Sequence, residues 1–450
     1  MRRIPQYLVT LFFLFSSCST SLPTQTKTST GRWRGFNLTN LAMKGPNESP
    51  YEEEDFKWIH ELGFNFIRLP LDFRIWTDPN DAKVFDEQKL KQIDQAIQFG
   101  QKYKIHVCLS LHAGANSATD DPVDFYSQWQ MFATRYQGIA SSDLSFNLSS
   151  DQTKIDVDNY QKFIRDTVTE IWEIDPNRLV LIDGLDFGKT PLLSLARMPL
   201  IQVNRSLGPS FMNDWSGATS FPVPTWPMTM PRLSRKIHRL KIQGKILSEG
   251  TLRILVGDVP RKAKLIVKAN GKLIEELSPS NFGKLIKLPK YTNKILLSSE
   301  GANFEIEGIK IIPPQSLGFA PINLIPTKEI SEKLGVIALD EKGKVQNQYE
   351  VTFDRKWLTD SNVVPWLPAQ KLGIKIFVSE FGTPRAIPHP AALAWMEDHL
   401  NNWKGLGWGW ALSNFKGSFG ILDSKRTDAK YEDFHGHKLD RKMLNLLQKY

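Results

Sequence analysis

The sequence lacks the features that usually stabilise small exported domains or bind cofactors. Its 450 residues include two cysteines. Cys18 lies in the N-terminal segment and Cys108 lies in an apolar run, so we expect no disulfide within the mature chain. The sequence contains no internal repeat, no metal-ligand cluster, no phosphate-binding loop and no cofactor motif. These absences predict a fold held by its hydrophobic core, with no metal or cofactor, and give no indication of nucleic-acid binding.

Long hydrophobic runs are also missing. The apolar run at the N-terminus, Leu8–Phe15, is too short to cross a bilayer, so residues 1–18 are predicted to be a signal peptide of the lipoprotein type. Small residues precede Cys18, which favours a lipid anchor on this cysteine; the alternative is a plain secretory signal that removes it. Residues 19–30 are predicted to be a flexible tether. The expected location is the bacterial cell envelope, anchored at the outer membrane, or alternatively secreted or periplasmic.

What the sequence does contain is a regular alternation of apolar strands and amphipathic helices, which is typical of parallel βα units. The candidate strands are Arg34–Thr39, Phe64–Leu71, His106–His112, Leu144–Ser149, Arg178–Gly184, Leu200–Arg205, Lys375–Phe381 and Leu406–Ser413. The most regular helical patterns are Ser49–Leu62, Lys89–Lys102, Asp158–Ile174 and Asp440–Tyr450. Eight strands with intervening helices predict an α/β protein of the (β/α)8 TIM-barrel type.

One stretch between the sixth and seventh strands has no helical pattern. It contains short alternating runs and turns such as Asn270-Gly271, which predict a small β-sandwich inserted in a loop of the barrel. The expected domains are the first part of the barrel at 31–232, the insertion at 233–315 and the second part of the barrel at 316–450. Basic residues are dense between Arg232 and Lys294. They indicate either attraction to an acidic glycan or lipid head groups, or an ordinary solvated face.

Reactive side chains of such barrels lie at the C-terminal ends of the strands. These ends contain a carboxylate, Glu380, a cation, Arg68, and His112, and Asp151 follows the fourth strand. Two carboxylates that face one bond are the requirement for glycoside hydrolysis. Arg68 is suited to holding an ionised carboxylate in place.

The chain resembles glycoside hydrolase family 5, which includes many cellulases and mannanases. The segments that carry the resemblance are Arg34–Leu38, Gly63–Pro70, Asp175–Arg178, Leu181–Gly184, Val378–Gly382 and Gly417–Ser424. The resemblance implies a retaining two-step mechanism, with Glu380 as nucleophile and with Arg68 and His112 around the sugar that is cut. It also implies that the substrate is a β-linked polysaccharide or oligosaccharide of the glucan or mannan type.

The sequence departs from the family pattern at three places. Asp151 stands where the family has its acid/base Glu. The stretch after the sixth strand lacks the usual His and Tyr, and Ser413 replaces a Trp on which the sugar stacks. Asn414 is retained as a substrate contact, and Trp410 or Trp408 is expected to replace the missing ring. Another acid, Asp121 or Asp124, remains an alternative proton donor.

Two hypotheses about function follow from these departures. The first is a glycoside hydrolase whose hydrolysis is weak or lost, so that it acts on or binds β-glucan or mannan. The second is a non-catalytic surface lipoprotein, expected to be a monomer, whose barrel or insertion binds glycan or a partner protein.

Overall fold

A closed barrel of eight parallel strands forms the centre of the molecule. The computed structural model describes residues 32–450 except 79, 112–121, 149–156, 207, 214–222, 234–236, 245–246, 257–262, 279–283, 301–302, 305, 313–321, 326–334, 340–341, 343 and 345–347. The barrel strands, in chain order, are Arg34–Asn37, Phe66–Leu71, His106–Leu111, Leu144–Asn147, Leu179–Asp183, Ile201–Arg205, Lys375–Phe381 and Gly409–Leu412. All eight lie within the predicted segments, so the TIM-barrel prediction is confirmed.

The first barrel strand closes the barrel by pairing with the second and the eighth. Gly35 pairs with Phe66 on one side and with Ala411 on the other. A Cβ atom at Gly35 would lie 1.7 Å from the carbonyl oxygen of Phe66, so the closure requires glycine at this position.

Helices surround the barrel. The longer ones are Glu53–Glu61, Glu87–Tyr103, Pro122–Arg135, Val157–Ile174, His389–Leu406 and Arg441–Lys449. Short α-helices lie at Leu185–Gly188, Ser210–Asn213, Arg355–Leu358 and Leu367–Lys371; 3₁₀ turns lie at Phe73–Ile75, Leu193–Leu195 and Val364–Trp366, and a π turn lies at Thr359–Val363. None of the helices in the described residues is both long and apolar enough to cross a membrane.

The helix that follows the second barrel strand shows how the local sequence sets the boundaries. Asp86 precedes Glu87–Tyr103 and accepts hydrogen bonds from the backbone N–H groups of Gln88 and Lys89. Lys104 ends the helix in the left-handed conformation, with φ of 56°. Leu90, Ile93, Ala96 and Ile97 are buried against the barrel, as the 3.6-residue period of the sequence predicts.

The barrel interior and the layer between strands and helices are two separate apolar clusters. Trp33, Phe66, Cys108, Leu181, Val203 and Phe377 are among the residues that fill the interior. A much larger cluster lies outside the strands and includes Trp366, Trp395, Trp403 and Trp410. The barrel is therefore a packed core rather than a channel, and its chemistry must lie at one end.

Between the sixth and seventh barrel strands the chain forms two antiparallel sheets, which we call the inserted sheets. The first has five strands in the spatial order Lys272–Leu277, Lys264–Ala269, Lys294–Glu300, Arg239–Gln243 and Gly335–Leu339. The second has four, in the order Leu285–Lys287, Thr251–Val256, Ile306–Ile312 and Ile322–Ile325. Buried residues of both sheets, among them Leu240, Val267, Ile254 and Ile309, form one cluster that is distinct from the barrel clusters.

The inserted segment is longer than the sequence indicated. The predicted end at residue 315 is wrong, because Ile322–Ile325 and Gly335–Leu339 pair with strands of the inserted sheets. A two-stranded ribbon of Met228–Leu233 with Gln348–Phe353 connects the inserted segment to the barrel. Two further hairpins, Thr77–Asp78 with Asp81–Phe85 and Glu432–Phe434 with His437–Leu439, lie on the barrel side.

Candidate functional site

The uppermost inward-facing positions of the barrel strands carry polar side chains instead of apolar ones. Side chains alternate along a strand, so Arg68, Ser110, Asp183 and Arg205 lie two residues beyond the interior residues Phe66, Cys108, Leu181 and Val203. Glu380 lies three residues beyond the interior residue Phe377, after a register irregularity between Val378 and Glu380. We call the set the polar ring; it consists of Asn37, Arg68, Ser110, Asn147, Asp183, Arg205 and Glu380. It lies at the C-terminal ends of the strands, which is the end where TIM barrels hold their active sites.

Arg68 is the centre of the ring and is completely buried. Its Nη1 donates to Glu380 Oε1 at 2.7 Å and to Asn37 Oδ1 at 3.1 Å. Its Nε donates to Asn147 Oδ1 at 3.0 Å, and its Nη2 donates to Ser110 Oγ at 2.7 Å. A planar guanidinium with five donors suits such a set of fixed acceptors, and a lysine would not reproduce it.

A second acid and a second cation complete the ring. Asn147 Nδ2 donates to Asp183 Oδ1 at 2.8 Å, and Arg205 Nη2 lies 3.2 Å from Asp183 Oδ2. Burial raises the pKa of Asp183, while the charges of Arg205 and Arg68 act in the opposite direction. A continuous chain of contacts therefore runs from Arg205 through Asp183, Asn147 and Arg68 to Glu380.

Close backbone packing holds Arg205 in place. Gly188 has φ of +75°, and a Cβ atom there would lie 2.5 Å from the backbone nitrogen of Arg205. Arg205 is also the register partner of Glu380 between the sixth and seventh strands. The side chains of the ring are thus held by strands and close packing, which limits their freedom to adopt other positions.

Exposure distinguishes Glu380 from the rest of the ring. Its side chain is 29% exposed, whereas those of Arg68, Asp183 and Arg205 are 0%, 3% and 6% exposed. Glu380 is therefore the ring carboxylate that a ligand at the open end can reach. Because Arg68 holds its other side, one carboxylate oxygen is fixed while the group remains accessible.

Comparisons with known proteins agree with this geometry. The profile described as Cellulase (glycosyl hydrolase family 5) matches residues 24–222. This range includes six of the seven ring residues, all except Glu380. Over these residues the chain is similar to glycoside hydrolase family 5. The chain is 26% identical over 147 residues to Endoglucanase C of Acetivibrio thermocellus, a match that covers 30% of the chain and 43% of the relative. The chain thus spans less than half the length of that relative.

Solved structures extend the similarity over nearly the whole chain. A structure titled as a glycoside hydrolase matches with a TM-score of 0.61 and 23% identity, covering 93% of this chain and 99% of the other. Cel5A of Thermotoga maritima in complex with cellobiose matches with a TM-score of 0.54 and 14% identity, covering 92% and 97%. At these identities the matches show a common fold.

The sequence prediction for the site has a mixed outcome. Glu380 and Arg68, chosen from strand ends, are brought into direct contact. His112 and Asp151, together with the proposed lipidation site Cys18, lie outside the described residues, and their roles stay predictions. Asn414 is half-buried just after the eighth strand, with its Nδ2 3.4 Å from Thr39 Oγ1, and its role as a substrate contact also stays a prediction.

The prediction that Trp410 contacts substrate is wrong. Trp410 is completely buried and packs its ring against Phe64 and Phe381 in the layer outside the strands. Trp408, the other candidate, is 2% exposed and donates to Gln370. Neither indole can replace the stacking ring that is missing at Ser413, whose hydroxyl donates to the carbonyl oxygen of Phe381 at 2.8 Å.

Sequence reasoning missed most of the ring. The sequence prediction assigns no role to Asn37, Ser110, Asn147 or Asp183. The signal was available, because each is a polar residue at an inward position near the end of an otherwise apolar strand. Counting two residues along from the interior residues Cys108 and Leu181 finds Ser110 and Asp183.

Proposed function

We propose that this protein is a glycosidase of the retaining type that acts on β-linked polysaccharide of the glucan or mannan type, with Glu380 as its nucleophile. The observation that carries the proposal is the geometry of Glu380, which is accessible at the open end while Arg68 holds one oxygen at 2.7 Å. The names of the relatives, an endoglucanase and a Cel5A bound to cellobiose, support the choice of substrate.

In the proposed reaction a carboxylate oxygen of Glu380 attacks the anomeric carbon. The bond from that carbon to the glycosidic oxygen breaks, its electron pair leaves with the oxygen, and a proton must be supplied to this leaving group. Water then displaces Glu380 from the glycosyl-enzyme. Arg68 keeps the nucleophile oriented during both steps, because its guanidinium is fixed by three further ring residues.

The proton donor is the weak part of this scheme. Asp151 occupies the sequence position of the family's acid/base Glu, and its side chain is shorter by one carbon–carbon bond, roughly 1.5 Å. Retaining enzymes place their two carboxyl groups only ~5–5.5 Å apart. We therefore expect hydrolysis to be slowed by about 10²–10⁴-fold, the usual contribution of general acid–base catalysis.

An activated aryl glycoside with azide tests the nucleophile apart from the acid. A dinitrophenyl β-cellobioside needs no protonation of its leaving group, so wild-type protein should form the glycosyl-enzyme and release dinitrophenolate. Azide should then attack the anomeric carbon and displace Glu380. The expected product is the β-glycosyl azide, because two inversions retain the configuration.

The Glu380→Ala variant is the stereochemical control. Azide should enter the space left by the carboxylate and give the α-glycosyl azide after a single inversion. A second variant, Asp151→Glu, should raise hydrolysis of unactivated β-glucan by about 10²-fold by restoring the reach of the acid. The proposal fails if wild-type protein yields no glycosyl azide, and a non-catalytic binding function would then be favoured.

Export and anchoring remain part of the proposal. The apolar run before Cys18 supports attachment to the cell envelope through a lipid. Incorporation of labelled palmitate that disappears in Cys18→Ser tests this, and an unlabelled wild-type protein would contradict it.

A further inference from the structure

The inserted sheets carry an excess of positive charge for which the proposed hydrolysis has no use. Residues 232–294 contain 16 Lys and Arg and four Asp and Glu. Such an excess can attract an anionic ligand only if the cations lie on one surface. The alternation of side chains along the strands determines whether they do.

The five-stranded sheet sorts its residues by face. In Arg239–Gln243, Leu240 and Ile242 are buried in the cluster between the sheets, while Arg239 and Lys241 lie on the opposite face. The strand Lys294–Glu300 pairs with Arg239–Gln243, and alternation puts Lys294 on the same outer face. The strand Lys264–Ala269 lies on the other side of Lys294–Glu300, and Lys264 and Lys268 also lie on the outer face. We call the outer face with Arg239, Lys241, Lys264, Lys268 and Lys294 the basic face.

The strand register sets the spacing of these cations. Lys241 and Lys268 both pair with Leu296, one on each side of it. Since neighbouring strands lie ~4.8 Å apart, these two lysines are ~10 Å apart across the sheet, and Arg239 is ~7 Å along the strand from Lys241. The cations therefore follow a regular grid rather than a single cluster.

The charges of the basic face are largely uncompensated. Lys264 is the exception, because it lies 3.7 Å from Glu276 and is the register partner of Glu300. Within the described ranges, Arg239, Lys241, Lys268 and Lys294 have no ion pair with an acidic side chain. Lys241, Lys268 and Lys294 are half-buried, so their aliphatic parts lie on the sheet while their ammonium groups reach water. Repulsion among them would be relieved by a ligand with several negative charges.

An exposed aromatic side chain stands at one end of the same sheet. Tyr291 is 75% exposed and adopts φ of 63°, just before the strand that begins at Lys294. Its N–H donates to Ser248 Oγ at 2.7 Å, and its carbonyl oxygen accepts from Asn270 Nδ2 at 2.9 Å. The same amide of Asn270 accepts from the backbone of Lys294 at 3.1 Å. The ring is thus presented to solvent on a turn with a fixed backbone.

We infer that the basic face and Tyr291 together bind an anionic polysaccharide, a linear glycan with repeated carboxylate groups, at a site separate from the polar ring. A rigid tyrosine offers a flat apolar surface for a sugar ring at low entropic cost, and the grid of cations matches repeated charges along a chain. The similarity of residues 24–222 to a glycosidase family favours a glycan over a lipid surface or a nucleic acid, and the experiment tests both alternatives.

The experiment measures binding of fluorescein-labelled oligogalacturonate to the full-length protein by fluorescence anisotropy, with neutral oligogalactan as comparison. Lys241→Glu/Lys268→Glu should weaken binding by about 10-fold or more, and higher salt should weaken binding of the wild type. Tyr291→Asn, which tolerates the left-handed backbone, should weaken it by about fivefold through loss of stacking. Neutral oligogalactan should bind much more weakly than the acidic probe.

The control is Lys371→Glu/Lys375→Glu, which makes the same change of charge at exposed lysines near the opposite end of the barrel. It should bind like the wild type, and cooperative unfolding of every variant shows that it is folded. Equal binding by the Lys241/Lys268 variant, or no binding by the wild type, overturns the inference. So does tighter binding to anionic vesicles or oligothymidylate than to oligogalacturonate.

The outcome is independent of the proposed hydrolysis. Glu380→Gln should leave oligogalacturonate binding unchanged, and the Lys241/Lys268 variant should release dinitrophenolate from the aryl glycoside at the wild-type rate. Loss of binding in Glu380→Gln would place the anionic glycan in the barrel and contradict a separate site.

Discussion

The lower interior of the barrel and the polar ring are built from the same strands and serve opposite purposes. Phe66 and Arg68 lie two residues apart on the second strand and both point inward. Phe66 is packed against Trp33 and Phe377, whereas Arg68 makes hydrogen bonds to four side chains. The lower layers gain stability by excluding water from apolar surface, while the ring keeps charged groups in fixed positions for a ligand.

The largest effect on stability should come from the lower interior. Phe66→Ala leaves a cavity beneath the ring and should lower the free energy of unfolding by about 3–5 kcal/mol, measured by denaturant titration. Phe66→Leu, which keeps most of the volume, should cost less than about 1.5 kcal/mol. If the alanine variant is as stable as the leucine variant, the interior is not tightly packed and the comparison fails.

The next largest effect should come from the ring and should appear in rate rather than in folding. Arg68→Lys keeps the positive charge but loses the fork that contacts Glu380, Asn37 and Asn147. We expect release of dinitrophenolate from the aryl glycoside to fall by about 10²-fold, or ~2.7 kcal/mol in the barrier. Wild-type activity in this variant would show that charge alone positions Glu380.

The lower interior also predicts a dependence of stability on pH. Burial lowers the pKa of His106 to about 4. Its ring nitrogens contact Ser142 O at 2.8 Å and Ser145 Oγ at 2.7 Å, which suits the neutral form. Below pH 6.5 His106 is protonated in the unfolded chain but stays neutral in the folded protein. The free energy of unfolding therefore decreases as the pH falls from 6.5 towards 4.

The variant His106→Gln sharpens this prediction. It should be less stable than the wild type at pH 8, because it loses the stacking on Trp33, whose ring centroid lies 4.2 Å away. Between pH 8 and pH 5, however, it should lose about 2 kcal/mol less than the wild type in chemical denaturation. Buried His399, whose pKa burial lowers to about 3, contributes equally to both proteins and cancels. Parallel curves for the two proteins would contradict the assignment.

The sequence predicted the lower part of this structure better than the upper part. The eight strands were readable because buried parallel strands are continuous apolar runs, and helices such as Val157–Ile174 follow the 3.6-residue period. The ring depends on contacts between residues far apart in sequence, such as Arg68 with Glu380, whose separation is 312 residues. Strand order brings these together, so sequence spacing alone does not show which ring residues contact one another.

The error at Trp410 has a similar cause. A tryptophan near a strand end looks suitable for stacking on a sugar, but its face depends on alternation along Gly409–Leu412. Ala411 faces the interior, so Trp410 must face the helices. The extent of the inserted sheets was underestimated for another reason: Gly335–Leu339 is short and pairs with Arg239–Gln243, almost 100 residues earlier.

The smallest predicted effect tests whether the second acid of the ring acts on the first. Asp183 is held by Asn147 and Arg205. Burial is the main cause that raises the pKa of Asp183, and the charge of Glu380 adds a smaller increase, so the two carboxylates repel each other. Asp183→Asn keeps the size of the side chain and one acceptor oxygen but replaces the other oxygen by an amide donor, and it removes the negative charge and with it this repulsion. We expect kcat on the aryl glycoside to fall by about fivefold, since Arg205 loses its ion pair with Asp183, with KM little changed.

A change in kcat alone would also follow from a general loosening of the ring, whereas the pH–rate profile separates the two explanations. Without the negative charge of Asp183, ionised Glu380 is favoured, and the acid limb of the profile should move to lower pH. The control is Ser110→Ala, which removes a neutral partner of Arg68 at 2.7 Å and should lower the rate without moving the limb. An unmoved acid limb in Asp183→Asn would mean that Asp183 supports the ring mechanically and that its charge has no influence on Glu380.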